Sequence, residues 1–243
     1  MRRYLPELVA FPMLPLLIAQ GKYTRRVTPR LPEAGGPLEG LCGGAYAGTP
    51  LSLLTVGESP VAGVGVGTHD EAITGQLAQA MAEAMQRPVA WRACGKNGVT
   101  AREALETVIP AIPPAPVDVA LVAFGVNDTT AFRPVAHWER DLRQVLQAVE
   151  QRCRPGLILL SGVPPLRHFP ALPQPLRWIM GLKASVLDRA AQEIAGECGH
   201  VCHVPLALDT TDRAMMASDG YHPSAKGCTA WAGLLAAAVA ARR

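Results

Sequence analysis

Aromatic side chains are scarce, at 5% of the 243 residues. The four Trp and four Tyr do not interleave with basic residues, and no segment matches a DNA- or RNA-binding motif, so no nucleic-acid partner is expected. The same scarcity argues against a platform for stacking on polysaccharide. Charge is sparse as well, at 18% of residues, with a formal net charge of +3. Much of that excess sits at Lys22, Arg25, Arg26 and Arg30, a local feature rather than a groove. A metal-ligand pattern is also missing. Cys198, His200, Cys202 and His203 lie close together but have no second ligand pair, and the segment reads as a helix end running into a strand. Of the other cysteines, Cys94 and Cys228 lie in apolar surroundings and read as small buried hydrophobes.

Long uninterrupted apolar runs are absent too. Arg2 and Arg3 precede the apolar stretch from Leu8 to Ala19, which has the look of a signal peptide. Pro6, Pro12 and Pro15 interrupt it, no small-x-small cleavage site follows, and the cations downstream oppose translocation. It is also short for a bilayer span. The expectation is an apolar N-terminal arm that packs on the body or makes peripheral contact with a membrane, in a cytoplasmic protein rather than an exported one.

What is present is a large apolar share, 49%, enough for a sizeable core and too much for disorder. After a Pro/Gly-rich lead-in to Pro50, strand and helix signals alternate. The apolar run Leu51–Val56 reads as a strand buried on both faces, and Val89–Cys94, Val117–Phe124, Leu157–Leu160 and Val201–Leu206 read as four further strands. Between them, 70–85, 100–109, 137–151 and 173–196 read as helices, and 224–242 as a closing helix. In the first, Ile73, Leu77, Met81 and Met85 recur every four residues, with Thr68 as the expected N-cap. This alternation predicts an α/β fold with one parallel five-stranded sheet between helices. The division expected is 1–50, arm and lead-in, followed by one domain, 51–243.

Four short segments carry chemistry. Gly57-Glu58-Ser59-Pro60-Val61-Ala62-Gly63 leaves the first strand through a glycine that permits a tight turn, so the Ser59 hydroxyl can stand exposed as a nucleophile. The glycines at 63, 65 and 67 invite a dinucleotide-binding reading, but Thr68 occupies the place of the third glycine and no carboxylate ends the second strand. Gly98 lies just before a helix, where its amide is suited to an anion. Asn127, in Gly125-Val126-Asn127-Asp128 after the third strand, can donate a hydrogen bond to a developing oxyanion. Asp219-Gly220-Tyr221-His222 precedes the closing helix, so the carboxylate can hold one imidazole nitrogen while the other accepts a proton. Each segment alone also reads as ordinary turn chemistry.

Together and in this order, these segments resemble the SGNH (GDSL-type) hydrolase family, over a span from about Leu51 to the C-terminus. The resemblance implies a flavodoxin-like, three-layer α/β/α fold and cleavage of carboxylic esters through an acyl-serine, with no metal and no organic cofactor. Ser59 would be the nucleophile, His222 the base and Asp219 its partner. The amides of Ser59 and Gly98 and the side chain of Asn127 would form the oxyanion hole. Glu58 departs from the aspartate usual before the nucleophile, a change that preserves charge. The alternative is a non-catalytic binding module on the same fold.

The segment 162–176 contains five prolines, which keep most of it from being helical. Leu166, Phe169 and Leu172 in it are expected either to line an acyl pocket or to pack on the sheet. Small acyl esters and lipid esters remain open as substrates, with lysophospholipids natural if the arm holds the protein at a membrane.

Overall fold

β2 (Leu51–Gly57) is buried at every position but Ser52, because strands flank it and helices cover both its faces. The computed structural model describes residues 2–207 and 212–242. Parallel to β2 run β3 (Val89–Gly95), β4 (Val119–Ala123), β5 (Leu157–Ser161) and β6 (Val201–Val204). A further strand, β1 (Glu39–Cys42), pairs antiparallel with β3, giving the order β1-β3-β2-β4-β5-β6. The five expected parallel strands are therefore present, but in a mixed sheet of six. The extra strand comes from the lead-in. Its residues are exposed except the half-buried Cys42 and carry no apolar alternation, so only the open edge of β3 makes it a strand. Gly40 is required there, since a Cβ would lie 2.7 Å from the Trp91 ring on β3.

Successive residues of each strand feed opposite layers. Leu54, Val56, Ala120, Val122, Ile158 and Leu160 share a core with α4 (Ala101–Thr107), α6 (Val135–Cys153) and α7 (Leu176–Gly196). Leu53, Trp91, Leu121 and Leu159 face α3 (Ile73–Met85) and α8 (Ala225–Ala240). In that second layer Thr55 and Thr74 satisfy each other's hydroxyls at 2.6 Å. α3 starts later than its periodicity suggests. Glu71 accepts from the amides of Gly67 and Thr68, forming a separate turn, and the helix begins after Ala72 rather than after Thr68.

The N-terminal arm comprises α1 (Leu5–Ala10), a 3-10 turn (Phe11–Met13) and α2 (Leu14–Val27). It lies along α7 and adds Ala10 and Leu17 to the first core. Two polar anchors hold it. Glu7 pairs with the fully buried Lys183 ammonium, and Gln20 bridges the Gln174 carbonyl and the Leu176 amide. Among the described residues no helix is long and apolar enough to cross a membrane.

The chain crosses the sheet in opposite directions from β2 to β3 and from β3 to β4, which leaves a crevice where the carboxyl ends of β2 and β4 lie side by side. Ligands gather at such switch points in open α/β sheets.

Candidate active site

Gly57 ends β2 because no other residue fits: a Cβ would lie 2.6 Å from both the Ala123 carbonyl and Val61 Cγ2. The chain turns at once, Glu58 donating its amide to Ala123 and its carbonyl accepting from Val61 and Ala62. Ser59 sits at the head of this turn, 5% exposed. Across the crevice, β4 ends in Gly125 (φ +131°) and runs into the single-turn helix α5 (Val126–Thr130), which carries Asn127 and Asp128.

The third part comes from the loop before α8. Asp219 Oδ1 accepts from the amides of Tyr221 and His222 at 2.9 and 3.0 Å, folding the intervening residues into a tight turn with Gly220 at φ +63°. Its other oxygen takes His222 Nδ1 at 2.6 Å. With the proton fixed on Nδ1, Nε2 is left as the acceptor, and Ser59 Oγ lies 3.0 Å from it. Burial pushes the Asp219 carboxyl up, but the hydrogen bonds from His222 and Tyr221 outweigh it, so the group lies below its ordinary value and is anionic at neutral pH. Tyr221 meets His222 on one side and Phe169 on the other, ring centroids 5.3 Å apart in both cases, which restrains the imidazole.

Gly98 adopts φ +80°, and neither its amide nor that of Ser59 donates to a partner among the described residues. Asn127 stands at the site, but both hydrogens of its carboxamide are engaged, by Glu58 Oε2 at 2.6 Å and the Val99 carbonyl at 3.0 Å. A bond from Asn127 to an oxyanion therefore requires one of them to turn away. Glu58 is the hub here. It also accepts from the amides of Val126 and Asn127, at the N-terminus of α5. Burial pushes its carboxyl up to about 8, against the pull of these donors. Asp128, also buried, caps α4 through the Ala101 amide, and burial pushes it up to about 6.

A narrow apolar cavity of about 60 Å³ opens beside Ser59 and His222, walled by Phe124, Val126, Phe169, Tyr221 and Trp231 among others. Phe169 lines this cavity while being itself 4% exposed in the first core, so it both packs and walls the cleft. Leu166 and Leu172 do not line it: both are buried in the first core, 0% and 5% exposed, because α7 and the sheet close over them. Val126, Tyr221 and Trp231 were not singled out from sequence. Tyr221 lies inside the Asp-Gly-Tyr-His segment, whereas nothing in the linear order marks Trp231 on α8.

The glycines after Ser59 serve close approach rather than a dinucleotide. A Cβ on Gly63 would lie 2.3 Å from Ala34 of the lead-in, and one on Gly65 would lie 2.6 Å from the Pro223 carbonyl. The cysteine–histidine group near 200 is dispersed: His200 turns to Glu150 and His203 to Asp188. Burial pushes Cys94 up to about 11 and Cys228 up to about 12, so both are protonated thiols in apolar settings.

Family membership, rather than the fold alone, places this chain among hydrolases that act on esters. It belongs to the GDSL-like lipase/acylhydrolase family, whose model matches residues 55–230. The motif-based resemblance is thereby borne out. The chain is 26% identical, over 90% of its length and 74% of the relative's, to GDSL-like esterase Rv1075c of Mycobacterium tuberculosis. Its fold is similar to that of the lipase Lip_vut3 from a goat rumen metagenome, with TM-score 0.61 and 16% identity over 77% of this chain and 97% of that one. It is also similar to the lipase/acylhydrolase of Enterococcus faecalis, with TM-score 0.58 and 20% identity over 79% and 96%.

Proposed function

We propose that the protein cleaves carboxylic esters through an acyl-Ser59 intermediate, with His222 as general base and acid and Asp219 as its orienting partner. The observation that carries this reading is the contact chain Asp219–His222–Ser59, at 2.6 and 3.0 Å. The Ser59 oxygen attacks the ester carbonyl carbon while Nε2 takes its proton. The resulting oxyanion is received by the free amides of Ser59 and Gly98, joined by Asn127 once its carboxamide turns from Glu58 or Val99. Collapse expels the alcohol, which receives the proton from His222. Water then repeats the sequence on the acyl-enzyme and frees the acid.

The small apolar cavity next to the nucleophile favours a short acyl group over a long chain. The alcohol side faces the open part of the crevice, so its chemistry is left wide. The test is turnover of a chromogenic acetate or butyrate ester by Ser59→Ala, with circular dichroism to check folding. A loss of at least ~10³-fold with an unchanged spectrum is expected. Retained turnover overturns the assignment of Ser59. Labelling by a fluorophosphonate, expected in the wild type and absent in Ser59→Ala, separates this reading from a non-catalytic binding module.

A further inference from the structure

The N-terminal arm has two faces at the spacing of one continuous helix. Pro6, Ala10, Leu17 and Thr24 are buried against the body. Opposite them stand Tyr4, Leu8, Phe11, Leu14 and Ile18, each three or four residues from the next, with Leu8 63% and Phe11 79% exposed. A surface helix ordinarily turns polar side chains to water. This one presents a second apolar stripe, contiguous over several turns, and single exposed apolar residues are unremarkable where such a stripe is not.

Past Ile18 the same arm becomes cationic, with Lys22, Arg25, Arg26 and Arg30 all exposed. None of the four is ion-paired among the described residues. Residues 1–30 hold six cations and one carboxylate, a net +5 against +3 for the whole chain, so residues 31–243 together carry −2. The one carboxylate, Glu7, is spent on Lys183. Beside the stripe, between α1 and α7, runs a groove of about 350 Å³ with Leu5, Leu182 and Val186 in its lining and Arg189 beside them.

We propose that this arm is an interfacial helix that docks the protein on an anionic phospholipid surface. The apolar stripe would enter the acyl boundary, and the cations at its end would meet the headgroups. Charge selects this occupant over a second copy of the chain, because a two-fold contact through the arm would set like charges against each other. The arm is also tied to the segment that walls the cleft: Gln20 holds 174–176, which continues back to Phe169. The inference rests on the arm's surface alone and stands whether or not Ser59 is the nucleophile.

The test is co-sedimentation of the full chain with vesicles of phosphatidylcholine alone or mixed with phosphatidylglycerol. Binding is expected to the mixed vesicles, to weaken with salt, and to be at least ~10-fold poorer on phosphatidylcholine alone. Leu8→Ser with Phe11→Ser should reduce partitioning on the order of a hundredfold, from about tenfold for each large apolar group withdrawn. Arg25→Glu with Arg26→Glu should abolish the preference for the anionic lipid. Turnover of a water-soluble ester by the serine variant should stay unchanged, which shows an intact fold. The proposal is overturned if mixed vesicles do not bind the wild type, or if the serine variant binds them equally well. It is equally overturned if the wild type is a dimer that the serine variant dissolves without any effect of lipid.

Discussion

Gly65 offers a sharp trial of how His222, the proposed base, is positioned. It is far from Ser59 in role, yet its backbone lies against the loop that presents His222. With φ at +104°, any side chain there is strained, at roughly 1–2 kcal/mol. The added methyl would lie 2.6 Å from the Pro223 carbonyl, 3.1 Å from Ala217 Cβ and 3.2 Å from His222 Cβ. Ordinary contact begins at 3.4 Å, so Pro223 must retreat by about 0.8 Å, and the imidazole is carried by the residue just before it. Overpacking of this kind costs about 1–3 kcal/mol, which brings the total to about 2–5 kcal/mol. Displacement of a catalytic group by about 1 Å costs on the order of a hundredfold in rate. Gly65→Ala is therefore expected to lower kcat about a hundredfold on a chromogenic short-chain ester, with KM little changed and the melting temperature reduced. Gly21→Ala is the matched control. It lies within α2 with open space around it, and should raise stability by about 0.5–1 kcal/mol without touching turnover. A Gly65→Ala enzyme with kcat within threefold of wild type would refute the claim that this close approach sets the place of the imidazole.

Three other substitutions test the surroundings of the site. Glu58 holds its proton up to about 8 in the folded protein against 4.5 for a free side chain, so its contribution is complete below about pH 4.5 and lost as pH rises through 8. Melting temperature should fall between pH 5 and pH 9, and Glu58→Gln should flatten that slope in a fluorimetric scan; an unchanged slope would assign it elsewhere. Phe169→Ala should widen the cavity and shift preference toward longer acyl chains, measured across a series of chromogenic esters. Leu166→Ala should instead cost about 2–5 kcal/mol of stability with the preference unaltered, because that side chain is sealed in the core.

The parallel strands were legible because each is a mostly apolar run: Val119–Ala123 is buried at every position, whereas β3 alternates, with Ala90 and Arg92 exposed. β1 was not, since Glu39-Gly40-Leu41-Cys42 has no pattern of its own and becomes a strand only against the edge of β3. The residues of the contact chain were legible for a different reason. Ser59, Asp219 and His222 each sit on a short loop bounded by glycine or proline, where few other side chains carry chemistry, and Asn127 follows a glycine at the end of β4. Contacts between loops distant in sequence were hidden. The proton-hungry hub at Glu58, the engagement of both Asn127 hydrogens and the approach of Gly65 to Pro223 all depend on spacing in three dimensions. The wall of the cleft was half legible: Phe169 and Leu166 lie three residues apart in one stiff segment, and only packing beneath α7 decides which of them lines the cavity.

The proposed nucleophile and base lie 163 residues apart in sequence, and α8 follows the base. On that proposal, the hydroxyl leaves the ribosome long before the group that would activate it. A chain without its 219–222 segment would hold an inert serine. Turnover would then report that two distant parts of the domain have come together.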